Sequence, residues 1–192
     1  MEKRNDSRHG DAGFRPELAF YHPNVKGTGC AVKFGLHPAH DDKEGSIFLS
    51  AASQLTVGSR GGERVFPRFD WERRICVKLD FTDLCKILQV LRGECESIDD
   101  GRGLYHRRLG VSTTIRFRHV VEPDSCYSLE LYRNSGREGD DALSAHILFS
   151  QAEALGIAEV FSRTLPLVCF GLPSSYARPA AANGGKGDED AA

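Results

Sequence analysis

Two stretches of helical periodicity divide an otherwise alternating chain into two like halves, and this order constrains the fold more than any single motif. In the first half Cys30, Val32, Phe34 and Leu36 alternate with Ala31, Lys33, Gly35 and His37, the period of two that turns one side of a strand towards a core. EGSIFLSAASQLTV (44–57) follows. RRICVKL (73–79) then sets Ile75, Val77 and Leu79 on one face and Arg74, Cys76 and Lys78 on the other. A helix is expected from Asp80. Asp83 makes a weak capping box with it, Phe81, Leu84, Ile87, Leu88 and Leu91 recur at helical spacing, and Gly93 supplies the stop. The second half repeats the scheme with GLYHR, TTIRFRHV, CYSLELYR and SAHILFS, joined by the turn-rich EPDS and RNSGREGDD. Its helix opens at Ser150 with Glu153 completing a capping box, carries Ala154, Ile157, Ala158 and Phe161 on one stripe, and is expected to end at Pro166. Strands, helix, strands, helix reads as a single α+β domain whose halves agree in element order and not in sequence.

The folded part is expected to span residues 17–173. Residues 1–16 are polar and charged and read as a mobile arm. From Ser174 the chain is rich in Pro, Ala and Gly and closes on GDEDAA, a composition that buries too little apolar surface to offset the entropy of ordering. This acidic end reads as a solvating tail, with competition for a basic groove as the alternative. The 192 residues are 40% hydrophobic and 27% charged, enough for a sizeable core, and the formal charge of -2 neither requires nor excludes a polyanionic partner.

Six cysteines show no CxxC pair and no zinc-finger spacing with histidine. They are expected to be reduced and structural, with Cys76 and Cys85 inside apolar runs. The N-terminus lacks the apolar core of a signal peptide, and no window approaches the roughly 18 apolar residues of a membrane span. The expectation is a soluble cytoplasmic protein, associated with the nucleoid if bacterial, and no membrane partner.

Charge is distributed unevenly. From residue 101 to 121 there is no acid, but Arg102, Arg107, Arg108, Arg116 and Arg118 occur with His106 and His119. Arg116 and Arg118 share one strand face while Ile115 and Phe117 share the other, and Lys33, Arg74 and Lys78 hold similar outward positions in the first half. Cations along several strands with aromatics between them suit single-stranded nucleic acid: the cations follow phosphates, and rings stack on unpaired bases. A solvated sheet face with incidental arginines is the competing reading, which composition alone favours slightly.

Other constellations carry less. His37 and His40 could pair, but no cysteine or carboxylate cluster joins them at metal-site spacing. KGTG (26–29) opens a strand and lacks the GxxxxGK[ST] pattern of a phosphate loop. Neither GxSxG nor HExxH occurs, and the pairs Asp41-Asp42, Asp99-Asp100 and Asp140-Asp141 fall in expected turns. No enzyme, metal or cofactor is indicated.

Two motifs carry a resemblance. KGTGCAV (26–32) resembles the KGKAALSV-type strand of the plant Whirly proteins, and FDWERR (69–74) resembles their YDWEKK segment, at a similar separation. The likeness extends over about Lys26–Leu172 and includes the closing CFGLP. It implies a Whirly-like fold: two antiparallel four-stranded sheets packed roughly perpendicularly, with helices forming the core of a homotetramer that binds single-stranded DNA. Guide-RNA-binding proteins of kinetoplastid mitochondria and the transcription coactivators of the same superfamily share that fold, which keeps RNA open. By motif, Lys26 and Gly27 lie on the strand approaching nucleic acid, and Phe69, Trp71 and Arg74 lie in the second motif. Thr28 stands where the family has a second lysine, which puts assembly beyond a tetramer in doubt. Only two strands are legible between Lys26 and Phe69 where the family has three; the missing one falls near 41–45 or is replaced by Leu18–Tyr21.

The resulting expectation is a single-stranded nucleic-acid binder of low sequence preference, DNA before RNA, acting in transcription regulation or genome maintenance. Lys26, Lys33, Arg74, Lys78, Arg116 and Arg118 would neutralise phosphates. Phe69, Trp71, Tyr127 and Tyr132 would offer stacking surfaces, although Tyr127 and Tyr132 fall on opposite sides of one strand. A homo-oligomeric interaction module of the same fold without nucleic acid is the alternative.

Overall fold

In the computed structural model residues 16–40, 42–57, 59–60, 63–64, 66–122, 124–135 and 142–172 are described. Apart from Pro16, the expected arm and the acidic tail lie outside them. Ten strands and two α-helices are present among these residues: β1 (Glu17–His22), β2 (Cys30–His37), β3 (Ser46–Ser53), β4 (Ser59–Arg60), β5 (Glu63–Arg64), β6 (Ile75–Leu79), α1 (Phe81–Leu91), β7 (Leu104–Arg108), β8 (Val111–Val120), β9 (Cys126–Asn134), β10 (Leu143–Ser150) and α2 (Gln151–Phe170), with a 3-10 turn at Ile98–Gly101. They form two antiparallel four-stranded sheets, ordered β1-β2-β3-β6 and β10-β9-β8-β7, with β4 and β5 as a separate hairpin. The first sheet's fourth strand is β1, which precedes the first motif and matches the expected substitute at Leu18–Tyr21. Around 41–45 the described residues form an isolated bridge from His40 to Lys43.

Alternation predicts the faces well. Val32, Phe34, Leu36, Leu49, Ile75, Val77 and Leu79 line the inner side of the first sheet, and Ile115, Phe117, Leu129, Leu131, Ile147 and Phe149 that of the second. The two sets meet in one core because β10 touches β2, β3 and β6 in turn and so crosses the first sheet's strands instead of running beside one. Rings pack edge to face around this crossing: Phe20 on Phe149 of β10 at 5.1 Å, and Phe34 on Phe161 of α2 at 5.2 Å.

Both helices begin where their capping boxes place them. The Asp80 carboxylate accepts the Asp83 N–H at 2.9 Å and the Asp83 carboxylate accepts the Asp80 N–H at 3.1 Å, an arrangement worth about 1 kcal/mol. Gly93, at φ 72°, donates to the Val90 carbonyl and Glu94 donates to that of Gln89, which closes α1 as a Schellman motif. Phe81, expected on the buried stripe, is 46% exposed. It is the first residue of α1, one turn before the buried Leu84.

Pro166 does not end α2. The helix continues to Phe170 because its last turn is held from outside: the N–H groups of Ala39 and Gly45 donate to the carbonyls of Leu167 and Val168 at 2.9 and 3.1 Å. The buried Val168 anchors the same turn. Tertiary hydrogen bonds thus offset the one that proline removes. The cysteines also divide differently from expectation. Cys30 is buried, but Cys76, on the outward face of β6, is exposed, as are Cys95 and Cys169.

Candidate nucleic-acid interface

The loop between β1 and β2 is built before any ligand arrives. The Asn24 side-chain oxygen accepts the N–H groups of Lys26 and Thr28 at 3.0 and 3.1 Å. Gln54, 7% exposed, clamps it from below. Its oxygen accepts the N–H groups of Asn24 and Gly29 at 2.9 and 3.1 Å, and its amide donates to the carbonyls of Asn24 and Thr56. Gly27 turns the chain at φ 74°, a conformation that favours glycine. Lys26 is left exposed at the tip.

This loop overhangs the second sheet. Thr28, Gly29, Cys30 and Ser53 form one wall of a groove of about 810 Å³, and Thr114, Arg116, Glu130, Tyr132 and His146 form the other. Burial pushes the Cys30 thiol up to about 11, so it stays protonated as part of the wall. A second cleft of about 300 Å³ lies beside the Ile98–Gly101 turn and includes Arg118; Arg116 and Glu130 line both clefts. Register explains the grouping. Arg116 pairs with Glu130 and Glu130 with His146, while Thr114 pairs with Tyr132 and Tyr132 with Ser144. The outward face therefore carries one row with charge next to one row with a ring. Glu130 meets Arg118 at 3.2 Å and Arg116 at 4.0 Å.

A different group lies on the outer face of the first sheet. Tyr21 contacts Phe69 at 5.7 Å and Trp71 at 6.5 Å between ring centres, and Lys33 Nζ sits 4.8 Å over the Trp71 ring. Lys33 also meets Glu17 at 2.7 Å, and this carboxylate raises its pKa above the ordinary lysine value. Phe69 and Asp70 are tied to the end of β3, through the bridge to Gln54 and the bond from Asp70 N–H to the Ser53 carbonyl. The aromatic group therefore stands at the same strand ends as the loop, on the opposite face of the sheet from Cys30.

Two sheets in this order, with a helix closing each half, decide the comparison. The chain has the Whirly fold. It matches the structure of WHY1 from Arabidopsis thaliana with a TM-score of 0.63 at 17% identity, covering 86% of this chain and 90% of that one. The plant transcriptional regulator PBF-2 gives 0.58 at 16%, covering 81% and 82%. Trypanosome MRP1/MRP2 gives 0.53 at 17%, covering 82% and 96%. No protein-family model matches the sequence, and no curated protein matches it.

Within this Whirly fold ten of the eleven residues singled out from the sequence separate into three sets. Lys26 and Gly27 belong to the loop. Arg116, Arg118 and Tyr132 lie on the second sheet's outer face, where the loop overhangs. Lys33, Phe69, Trp71, Arg74 and Lys78 lie on the first sheet's outer side, where Lys33 is committed to Glu17 and Trp71, and Arg74 donates to the Trp71 carbonyl at 2.8 Å. Tyr127 must be corrected. It is 7% exposed and stacks on Phe117 at 5.9 Å and on His119 at 4.7 Å inside the core, which leaves it no free ring face. Tyr21, Gln54 and Glu130 were not anticipated. The signal for Glu130 was present: it is the acid of CYSLELYR, on the same strand parity as Tyr132.

Proposed function

We propose that this chain binds single-stranded nucleic acid, DNA in preference to RNA, with little dependence on sequence. The observation that supports this best is the groove under the Lys26–Gly29 loop, which brings Arg116 and the 48%-exposed Tyr132 side by side beneath a prearranged backbone. A guanidinium next to an open ring matches one nucleotide unit, a phosphate with an unpaired base. Duplex DNA offers the phosphates but keeps its bases stacked. Lys26 at the loop tip and Arg118 in the adjoining cleft extend the phosphate track. The Tyr21–Phe69–Trp71 group, with Arg74 bonded to the Trp71 carbonyl, offers a second platform at the loop end, and Lys78 stands farther along the same face. Most of these contacts are to charge or to ring faces, which every base presents, hence the low sequence preference.

Assembly is part of the same proposal. Leu155, Val160 and Phe170 of α2 are exposed at 66, 38 and 87%, and Phe81 of α1 at 46%. Apolar helix faces of this kind suit a homotetramer. The fold shared with a plant transcriptional regulator supports a role in transcription or genome maintenance. No reaction is assigned to the chain. Among the described residues no helix is long and apolar enough to cross a membrane. The protein-interaction alternative uses the same exposed helices and needs no groove.

Fluorescence anisotropy with labelled single strands and duplex of equal length, at two salt concentrations, separates these readings. Single strands are expected to bind more tightly, with affinity falling as salt rises. Equal binding of both forms, or none, rejects the proposal.

A further inference from the structure

Glu130 is the only acidic residue in the four strands of the second sheet. It occupies the one position that lines both clefts together with Arg116. Each of its oxygens faces a different arginine: Oε1 accepts from Arg118 Nη2 at 3.2 Å, and Oε2 lies 4.0 Å from Arg116 Nη1. A single carboxylate thus engages the two cations that would carry the phosphate track.

We infer that Glu130 is an internal competitor for the phosphate backbone, sets the affinity of the groove, and is displaced when a strand binds. The inference rests on the nucleic-acid reading above and deepens it. A carboxylate and a phosphate present the same paired oxygens to a guanidinium, so one can replace the other without rearranging the arginines. The exchange is easy because the three side chains are 58, 56 and 35% exposed, and ion pairs in water are weak. It also discriminates. A lone anion gains one arginine and leaves Glu130 its other partner, whereas a backbone can supply a phosphate to each. The carboxylate then stays beside the bound strand as an uncompensated like charge, which lowers affinity further.

The test compares the wild-type chain with Glu130→Gln and Glu130→Ala, titrated against fluorescein-labelled oligothymidylate at low and high sodium chloride. Gln keeps the side-chain shape, and Ala supplies an independent removal of the charge. Both variants are expected to bind about threefold to tenfold more tightly at low salt, the reach of two exposed ion pairs. The advantage should shrink as salt screens the carboxylate. If the wild-type chain binds and both variants bind equally or more weakly, Glu130 is a positioning residue and the inference is overturned while the nucleic-acid reading stands. If none of the three binds, both fall.

Discussion

Gln54 reaches under the Lys26–Gly29 loop and accepts the Gly29 N–H at 3.1 Å, so close that a β-carbon on Gly29 would strike both the Gln54 amide oxygen and the His22 carbonyl. The second obstacle is backbone and cannot move aside. Gly29→Ala should therefore lift the loop off its clamp and cost about 1–3 kcal/mol, the usual range for overpacking. Urea unfolding measures the loss. A weaker single-strand titration of the folded fraction would follow from the displaced groove wall.

Tyr127 and Tyr132 stand on one strand with opposite duties. Tyr127→Ala empties a site between Phe117 and His119 and should cost about 3–5 kcal/mol. Tyr132→Ala removes an exposed ring and should leave the melting temperature nearly unchanged while weakening single-strand binding by about 1–3 kcal/mol. Equal effects on stability would contradict the placement of the two rings.

The Arg116→Ala/Arg118→Ala pair tests the phosphate track. Its expected signature is a flatter dependence of log affinity on log salt, by about one unit for each phosphate that the variant no longer neutralises. An unaltered slope would locate the track elsewhere, with Lys78 and Arg74 as the next cations to replace.

The β7–β8 turn contains an avoidable strain. Leu109 and Gly110 take φ 49° and 83°, the left-handed pair of a type I′ hairpin, and Leu109 is 86% exposed with no packing in return. Asn tolerates this conformation and Leu does not. Leu109→Asn should raise stability by about 0.5–1 kcal/mol, read from the urea midpoint.

His106 on β7 meets Asp83 of α1 at 3.3 Å, and the bond to this carboxylate, opposed by burial and aided by Asp80, raises the histidine pKa above its ordinary 6.5. A raised folded-state pKa means that the folded state binds the proton more tightly. Its contribution is complete below the unfolded value and is lost as pH rises through the folded one. Melting temperature should therefore decline as pH climbs past 6.5, and His106→Gln should flatten that part of the profile. Because Asp83 also caps α1, the histidine is the cleaner residue to change.

Local pattern carried the fold a long way. Period-two runs set the inner faces of β2, β6 and β8, and Asp80 and Ser150 set the helix starts, because alternation and capping depend on neighbours within a few residues. Pro166 was misleading for the opposite reason. Whether proline ends a helix depends on what else holds the next turn, and here Ala39 and Gly45, far away in sequence, hold it. Cys76 sits in an apolar run yet faces outward, since parity and not neighbourhood decides the side of a strand.

The sequence by itself determined the two halves, the strand faces and the pairing of Arg116 with Arg118, all consequences of spacing along one chain. Only the tertiary structure decided which cations share a surface. It moved Lys33 and Trp71 to a face apart from Arg116 and Tyr132, turned Tyr127 inward, and set Glu130 between the two arginines. Those outcomes depend on cross-strand register and on the crossing of β10 over the first sheet. Both are fixed by packing between segments distant in the chain, Phe20 against Phe149 among them, a scale at which local periodicity carries no information.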